Sequence, residues 1–331
     1  MKLQEKQVAH IFTGCGGSVC GMEAAGWAGR FAVEVDPDRC KTLRINFPAM
    51  RVFEGPIQKM TLADYPSGVI PVHFYTFPCT NYTYGANVHG HWSGDSLYLE
   101  ALREAVMLWP EVIIIENVLG MKKFPRVMET WRHLPQYHTT EFELHGEDFT
   151  HQRKSRIFLI LHRQAYEFPS VERYMRPSPY TRLADYLDMN QSVPLIAPYI
   201  VRRLNGAYRD RAIVYHPDQQ SPVNLFANYK RDRSNFLIQD DSVEAGARPF
   251  TVREVARLHG FPETFTLSGS LNSQYAQIID AVMPPMAEVL GHALHGYFEA
   301  IDSLAPQPKA LGYHKVSPYN KMSMTQLQMP L

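Results

Sequence analysis

Apolar residues fall in short runs through the first half of the chain. VAHIF (8–12), FAVEV (31–35), VHFYTF (72–77), EVIII (111–115) and RIFLIL (156–161) have the length and the β-branched and aromatic content of buried strands. Between two of them, the stretch from Tyr98 to Leu108 repeats its apolar positions at helical spacing. Strands alternating with helices predict an α/β fold, a mostly parallel sheet with crossover helices on both faces. After about Arg163 the pattern breaks up. Prolines at 169, 177, 179, 194, 198, 217 and 222 interrupt every longer run, which predicts a small irregular lobe over 164–247. Helical spacing returns in TVREVARLHG from Thr251 and in one long amphipathic stretch from Gln274 to about Ala300. The expected organisation is a catalytic and cofactor-binding domain over 1–163, the small lobe over 164–247, a helical segment over 248–301 that returns to the first domain, and a tail over 302–331.

Composition narrows the class of protein without naming a partner. A chain of 331 residues with 45% hydrophobic and 20% charged positions is a packed globular protein, neither disordered nor fibrous as a whole. Its 33 Lys and Arg balance 33 Asp and Glu, so any surface for a polyanion must be local. One such region lies between Tyr199 and Arg233. There Arg202, Arg203, Arg209, Arg211, Lys230, Arg231 and Arg233 face three acids, a local charge of +4, interleaved with Tyr199, Tyr208, Tyr215, Phe226 and Tyr229. Cations for phosphates and aromatic rings for exposed bases are the pattern of a nucleic-acid face. Cys15, Cys20, Cys40 and Cys79 form no C-x-x-C pair, which argues for a reducing compartment and against structural zinc. No apolar run approaches membrane-spanning length, so the expectation is a protein neither exported nor inserted in a membrane.

Four strand ends carry candidate chemistry. Phe12-Thr13-Gly14-Cys15-Gly16-Gly17 follows the first predicted strand, where glycine lets the backbone approach a ligand. Glu34, seventeen residues past Gly17, ends the second strand, where an acid can hold the ribose hydroxyls of a nucleoside cofactor. Phe77-Pro78-Cys79 and Glu116-Asn117-Val118 end two further strands, which brings a nucleophile and an acid to the same sheet edge. The basic string Gln152-Arg153-Lys154-Ser155-Arg156 leads into the last strand of the set. A dinucleotide-binding dehydrogenase is disfavoured, because G-x-G-x-x-G would need glycine at position 19, which is Val.

In this order the residues resemble the cytosine-C5 DNA methyltransferases, which use S-adenosylmethionine to methylate carbon 5 of cytosine. FTGCGG resembles the cofactor loop, EVD the ribose-binding strand end, FPC the Pro-Cys nucleophile, ENV the glutamate motif and QRKSRIFLI the Gln-x-Arg-x-Arg strand. RPFTVREVARLHGFPETF and YAQIIDAVMPP resemble the two C-terminal motifs. The resemblance implies a Rossmann-like methyltransferase sheet with the small lobe as target-recognition domain. It implies a cofactor site of Phe12, Gly14, Gly16, Gly17, Glu34, Val35, Ile57, Pro78, Asp280 and Ala281. Catalysis falls to Cys79, Glu116, Arg156 and Lys154, and DNA contacts to Thr83, Gln152, Arg202, Arg203, Arg231 and Arg233. The implied partner is double-stranded DNA containing the target cytosine, bound by a monomer without metal or membrane, in the cytoplasm of a bacterium or from a phage.

Six positions depart from the family pattern. His10 stands in place of an Asp before the glycine loop, and Pro56 in place of the Asp that contacts the adenine amine. Thr80 replaces Gln after Pro-Cys, Lys154 replaces the first Arg of the basic strand, and Ile279-Asp280 replaces Gly-Asn. Two other functions share these residues: a tRNA cytosine-C5 methyltransferase, and a catalytically silent nucleic-acid-binding homologue.

Overall fold

The computed structural model describes residues 6–78, 97–176, 178, 180–188, 198, 201–202, 213–225 and 227–303. Seven strands build the main sheet: β1 (Gln7–Ile11), β2 (Ala28–Glu34), β3 (Arg51–Glu54), β4 (Val72–Tyr75), β5 (Val112–Val118), β6 (His138–His145) and β7 (Ser155–His162). Their spatial order is β3-β2-β1-β4-β5-β7-β6. All neighbours pair in parallel except β7, which runs antiparallel to β5 and β6. The chain builds outward from β1 to β3, then returns to the other side of β1 to lay down β4 and β5. Order reverses between β1 and β4, and a crevice opens there at the carboxyl ends of the strands.

The period-two pattern of the strands covers both faces of this sheet. Val8, Val72, Phe74, Ile114 and Ile160 pack under helices α1 (Gly17–Ala24) and α7 (Pro284–Ser303), through Met22, Met286 and Leu290. Their neighbours Ile11, Tyr75, Ile113, Ile115 and Leu159 point the other way. They meet Ala101 and Ala105 of α3 (Leu97–Leu108) and Val127, Met128 and Trp131 of α4 (Pro125–Arg132). Helix α2 (Pro37–Asn46) starts directly after β2: the Asp36 side chain caps it by accepting the Arg39 amide at 3.0 Å, with proline in the first turn.

Two elements differ from the sequence pattern. The amphipathic stretch after Gln274 is two helices, α6 (Leu271–Asp280) and α7, with α5 (Val252–Leu258) before them. Pro284 and Pro285 explain the break: Ala281 swings to ψ 153°, and Pro284 opens the next helix at a position where its missing N–H costs nothing. Strands β3 and β6, outside the apolar runs that marked strands in the sequence, lie at the two edges of the sheet.

Within the small lobe the described residues form a three-stranded sheet, β8 (Ile213–Tyr215) parallel to β9 (Phe236–Gln239), itself antiparallel to β10 (Ala247–Pro249). Its ionic centre is Arg248, fully buried, with one nitrogen 2.6 Å from Asp240 and two on the Glu254 carboxylate at 2.8 Å. A guanidinium taken out of water needs such saturation, and removing one carboxylate would leave an uncompensated charge. Glu254 also closes the capping box of α5 with Thr251.

Candidate active site and cofactor cavity

A cavity of about 600 Å³ opens at the switch point, within the range of small-molecule sites. Phe12 and Gly14 from the loop after β1, Glu34 and Val35 from the end of β2, and Pro56 and Ile57 beyond β3 line one end. Gly14 holds φ +61°, a left-handed conformation that suits glycine, and the adjoining Thr13 hydroxyl locks the turn by donating to the His10 carbonyl at 2.7 Å. The Glu34 carboxylate accepts the amides of Gly14 (2.7 Å), Val35 (2.9 Å) and Asp36 (2.9 Å). Oε1 takes the Val35 and Asp36 amides and Oε2 that of Gly14, so Oε2 keeps a further lone pair for a donor in the cavity.

Gly16 and Gly17, expected at the cofactor, are not among the residues lining this cavity. Their small size serves packing: a Cβ on Gly17 would lie 2.0 Å from the Val282 carbonyl oxygen, and one on Gly16 would lie 2.6 Å from the Phe47 ring. The loop is thereby pressed against the α6–α7 junction. His10 is fully buried and bonded to the Ser18 hydroxyl at 3.0 Å. Burial, with His73 nearby, pulls its imidazole down to about 3, so it packs as a neutral ring against Phe74.

At the other end of the cavity Glu116 meets Arg156. Antiparallel pairing sets Glu116 opposite Phe158 and Val118 opposite Arg156, so the acid and the arginine are diagonal neighbours on one face. Arg156 Nε lies 2.8 Å from Glu116 Oε1. Burial pushes the Glu116 carboxyl above its ordinary range, and the positive charges of Arg156 and Lys154 reverse only part of that rise. Asn117, on the opposite face, donates from Nδ2 to the Phe77 carbonyl at 3.1 Å and so ties the end of β5 to the exit of β4. Pro78 lines the cavity. The next residue, Cys79, lies outside the described residues, as do Thr80, Thr83 and Arg203.

The C-terminal end of α6 forms a third wall through Asp280, Ala281 and Val282. Lys154, expected to face the target base, is instead buried with its ammonium on the carbonyls of Ile279 (2.8 Å) and Ala281 (2.6 Å). Helix C-termini carry orphan carbonyls and partial negative charge, and a lysine satisfies both. Asp280 is held by Arg39 at 2.8 Å and by Lys230 at 3.0 Å. Sequence reasoning missed Arg39 because its partner lies 241 residues away. Its place in the first turn after Glu34 was the available signal.

The expected nucleic-acid residues separate by burial. Arg202 and Arg231 are exposed. Arg233 donates to Asn272 at 2.8 Å, with its guanidinium 4.9 Å from the centre of the Tyr275 ring. Gln152 is buried: its side chain donates to the Leu225 carbonyl at 2.9 Å, beside the single bridge between Gln152 and Val223 that docks the small lobe on β7. Gln152, expected at DNA, here joins the lobe to the segment that leads into β7. Tyr229, expected as a stacking surface, is core, with its hydroxyl bonded at Phe250. Among the described residues there is no group of three or more His, Cys, Asp or Glu able to hold a metal, and no helix long and apolar enough to cross a membrane.

A sheet of order 3-2-1-4-5-7-6 with one antiparallel strand, a glycine turn and a ribose-type acid at its switch point defines a Rossmann-like methyltransferase fold. The chain belongs to a narrower group: residues 7–296 match the C-5 cytosine-specific DNA methylase family. S-adenosylmethionine is the cofactor of that family. Type II methyltransferase M.PspPI of a Psychrobacter species is 24% identical, over 87% of this chain and 78% of its own. Type II methyltransferase M.NgoMIV of Neisseria gonorrhoeae is also 24% identical, over 86% of this chain and 95% of its own. The crystal structure of the S. pombe Dnmt2 methyltransferase superposes with a TM-score of 0.69 at 18% identity, covering 89% of this chain and 99% of that one.

Proposed function

We propose that the chain methylates carbon 5 of a cytosine flipped out of duplex DNA, with Cys79 as nucleophile and Glu116 and Arg156 as its partners at the base. The residues present fit the cofactor. Glu34 Oε2 offers an acceptor for a ribose hydroxyl, the exposed side chain of Val35 and the apolar Pro56 and Ile57 suit an adenine ring, and the cavity continues to the Glu116–Arg156 pair. When bound, S-adenosylmethionine supplies an electrophilic methyl group. Cytosine carbon 5 is too weak a nucleophile to take it unaided. The Cys79 thiolate adds to carbon 6, and the ring's electron pair moves toward carbon 5 as Glu116 gives a proton to N3. Arg156 steadies the charge that develops across the base. After methylation, water takes the carbon-5 proton, the electron pair it leaves expels the thiolate from carbon 6, and N3 returns its proton to Glu116, which restores aromaticity.

The observation that carries this reading is the position of Glu116: it is buried in the cavity wall, 2.8 Å from Arg156, on the strand beside β4, whose exit leads to Cys79. Burial raises its carboxyl, the direction that an acid donating a proton needs. A base inside a duplex cannot reach such a pocket without rotating out of the stack. The small lobe, with exposed Arg202 and Arg231, would hold the flanking phosphates. We assign the chain to the cytoplasm of a bacterium or its phage, acting as a monomer.

The test is mass spectrometry of nucleosides from duplex DNA and from tRNA, each incubated with the protein and S-adenosylmethionine. The expected product is 5-methylcytosine in DNA and none with Cys79→Ala. Product in tRNA alone would transfer the activity to RNA, and no product in either would favour the silent homologue.

A further inference from the structure

The sheet face that packs against α3 buries an acid that the chemistry above does not use. Glu104 of α3 and His73 of β4 are each 2% exposed, and Tyr75 of β4 is fully enclosed. The Tyr75 hydroxyl donates to Glu104 Oε2. His73 Nδ1 lies 3.2 Å from that hydroxyl and 3.4 Å from Glu104 Oε1. Two positions on one strand and one on a helix thus meet as a polar cluster inside the apolar layer of Ile113, Ile115, Ala101 and Ala105.

The charge on this cluster follows from the groups around it. An ionised carboxylate is acceptor-only and needs donors on both oxygens. Glu104 Oε2 has the Tyr75 hydroxyl, whereas Oε1 has no hydrogen bond among the described residues. Arg103, the preceding residue, turns away to Glu100 at 2.7 Å and to the Ile57 carbonyl. Tyr65, from the segment before β4, lays its ring parallel to that of His73, and α4 contributes only the uncharged indole of Trp131. His10 stacks on Phe74, on the other face of the sheet. Among the described residues the one ionic neighbour of Glu104 is therefore His73. A lone carboxylate or a lone imidazolium here would be an unpaired charge in the core. The pair is neutral with one proton, either as acid beside imidazole or as carboxylate beside imidazolium. Burial favours the first form: it raises the Glu104 carboxyl well above its ordinary range and pulls the His73 imidazole down to about 3.

We propose that Glu104 and His73 carry one proton between them, and that this proton clamps α3 to β4 and so positions the segment that bears the nucleophile. β4 ends at Tyr75 and α3 begins at Leu97, so the clamp joins the two elements on either side of residues 76–96, and with them Cys79. Pro78 and Leu97 both line the cavity, while Glu104, His73 and Tyr75 stand behind it as positioning residues. The link to turnover rests on the function proposed above; the shared proton does not. An unfolded chain releases the Glu104 proton in the ordinary carboxylate range and the His73 proton in the imidazole range. Above both ranges the folded chain holds one proton more than the unfolded chain, so stability falls as pH rises.

The experiment is urea unfolding of the full chain from about pH 7 to about pH 9, for the wild type and for Glu104→Gln, which keeps the shape and hydrogen-bonding groups of the acid with no proton to lose. The wild-type unfolding constant is expected to rise more steeply, by about a further tenfold per pH unit, the slope of one proton. Equal slopes overturn the clamp. Glu104→Leu is a second chain without the acid, and it also leaves the Tyr75 hydroxyl without its acceptor. Its single-turnover methylation is expected to slow about tenfold, with S-adenosylhomocysteine bound within about twofold of the wild type, and Glu104→Gln should restore the rate. Tyr75→Phe, the milder variant, should slow the reaction in the same direction. Retained ligand binding shows that each variant is folded. A full rate in Glu104→Leu overturns the positioning role. The slopes are read without activity, so a wild-type chain that methylates nothing overturns the function proposed above and leaves the shared proton to be decided by the slopes.

Discussion

Glu34 and Glu116 are two glutamates on strand ends of one sheet, lining one cavity, and they are almost equally buried at 6% and 7% exposure. Their surroundings are opposite. Glu34 sits in a turn whose three amides donate to its oxygens, so most of its hydrogen-bonding capacity is fixed by backbone. Glu116 sits on a strand flanked by apolar residues, meets one guanidinium, and is pushed toward its protonated form by burial. Burial alone therefore does not set the role of an acid. The donors within reach do, and under the proposed function they divide one cavity into an end suited to hydroxyls and an end suited to proton transfer.

The largest effect expected from this division is at Glu116. Glu116→Gln preserves size and hydrogen bonding but has no proton to give, so turnover should fall by about 10²- to 10⁴-fold, the usual contribution of general acid catalysis. Calorimetric affinity for S-adenosylhomocysteine should remain near that of the wild type. The same residue fixes the sign of the pH dependence. Its carboxyl is raised in the folded protein, so the donating form persists above the ordinary carboxylate range and is lost as pH rises further. A declining alkaline limb in single-turnover rates, absent from Glu116→Gln, is the expected signature. An unchanged limb in the variant would assign it to another group.

At the other end the ranking reverses. Glu34→Ala should weaken S-adenosylhomocysteine by roughly tenfold, through lost charge-assisted contacts to ribose, while turnover at saturating S-adenosylmethionine changes little. Steady-state titration of the methyl donor separates the two: an effect on KM for Glu34, an effect on kcat for Glu116. If Glu34→Ala lowered kcat as severely as Glu116→Gln, the cavity would not be divided as described.

How much of this was legible in sequence follows the same line. The strands with continuous apolar runs were visible, as was the placement of Glu34 and Glu116 at their ends, because local pattern and topology rules determine both. Edge strands β3 and β6 were hidden by polar residues such as Arg51, Glu54, Thr139 and Glu141, which an edge tolerates. The polar string before β7 was legible as chemistry but not as partnership. Lys154 caps the end of a helix more than 120 residues away, and Gln152 bonds a carbonyl 73 residues away. Nothing local announces which carbonyls a fold will leave without donors. The break between α6 and α7 was recoverable, since Pro284-Pro285 marks it, and the short junction it creates is the wall that carries Asp280.

The smallest expected effect sharpens the binding end further. Pro56 lines the cavity where the family resemblance places an acceptor for the adenine amine, and proline has none to offer from its side chain. Its backbone, at φ −68° and ψ 134°, is an extended conformation that any residue adopts without strain. Pro56→Asp should therefore fold normally and add one hydrogen bond, worth about 0.5–1.5 kcal/mol, tightening S-adenosylhomocysteine by roughly two- to tenfold. An analogue whose adenine amine is replaced by hydrogen should gain nothing from the substitution. If both ligands tighten equally, the added charge acts on the cavity as a whole, and adenine does not lie against residue 56. If neither tightens, the wall formed by Pro56 and Ile57 recognises the adenine by shape and apolar contact alone, which would leave Glu34 as the polar anchor of the nucleoside.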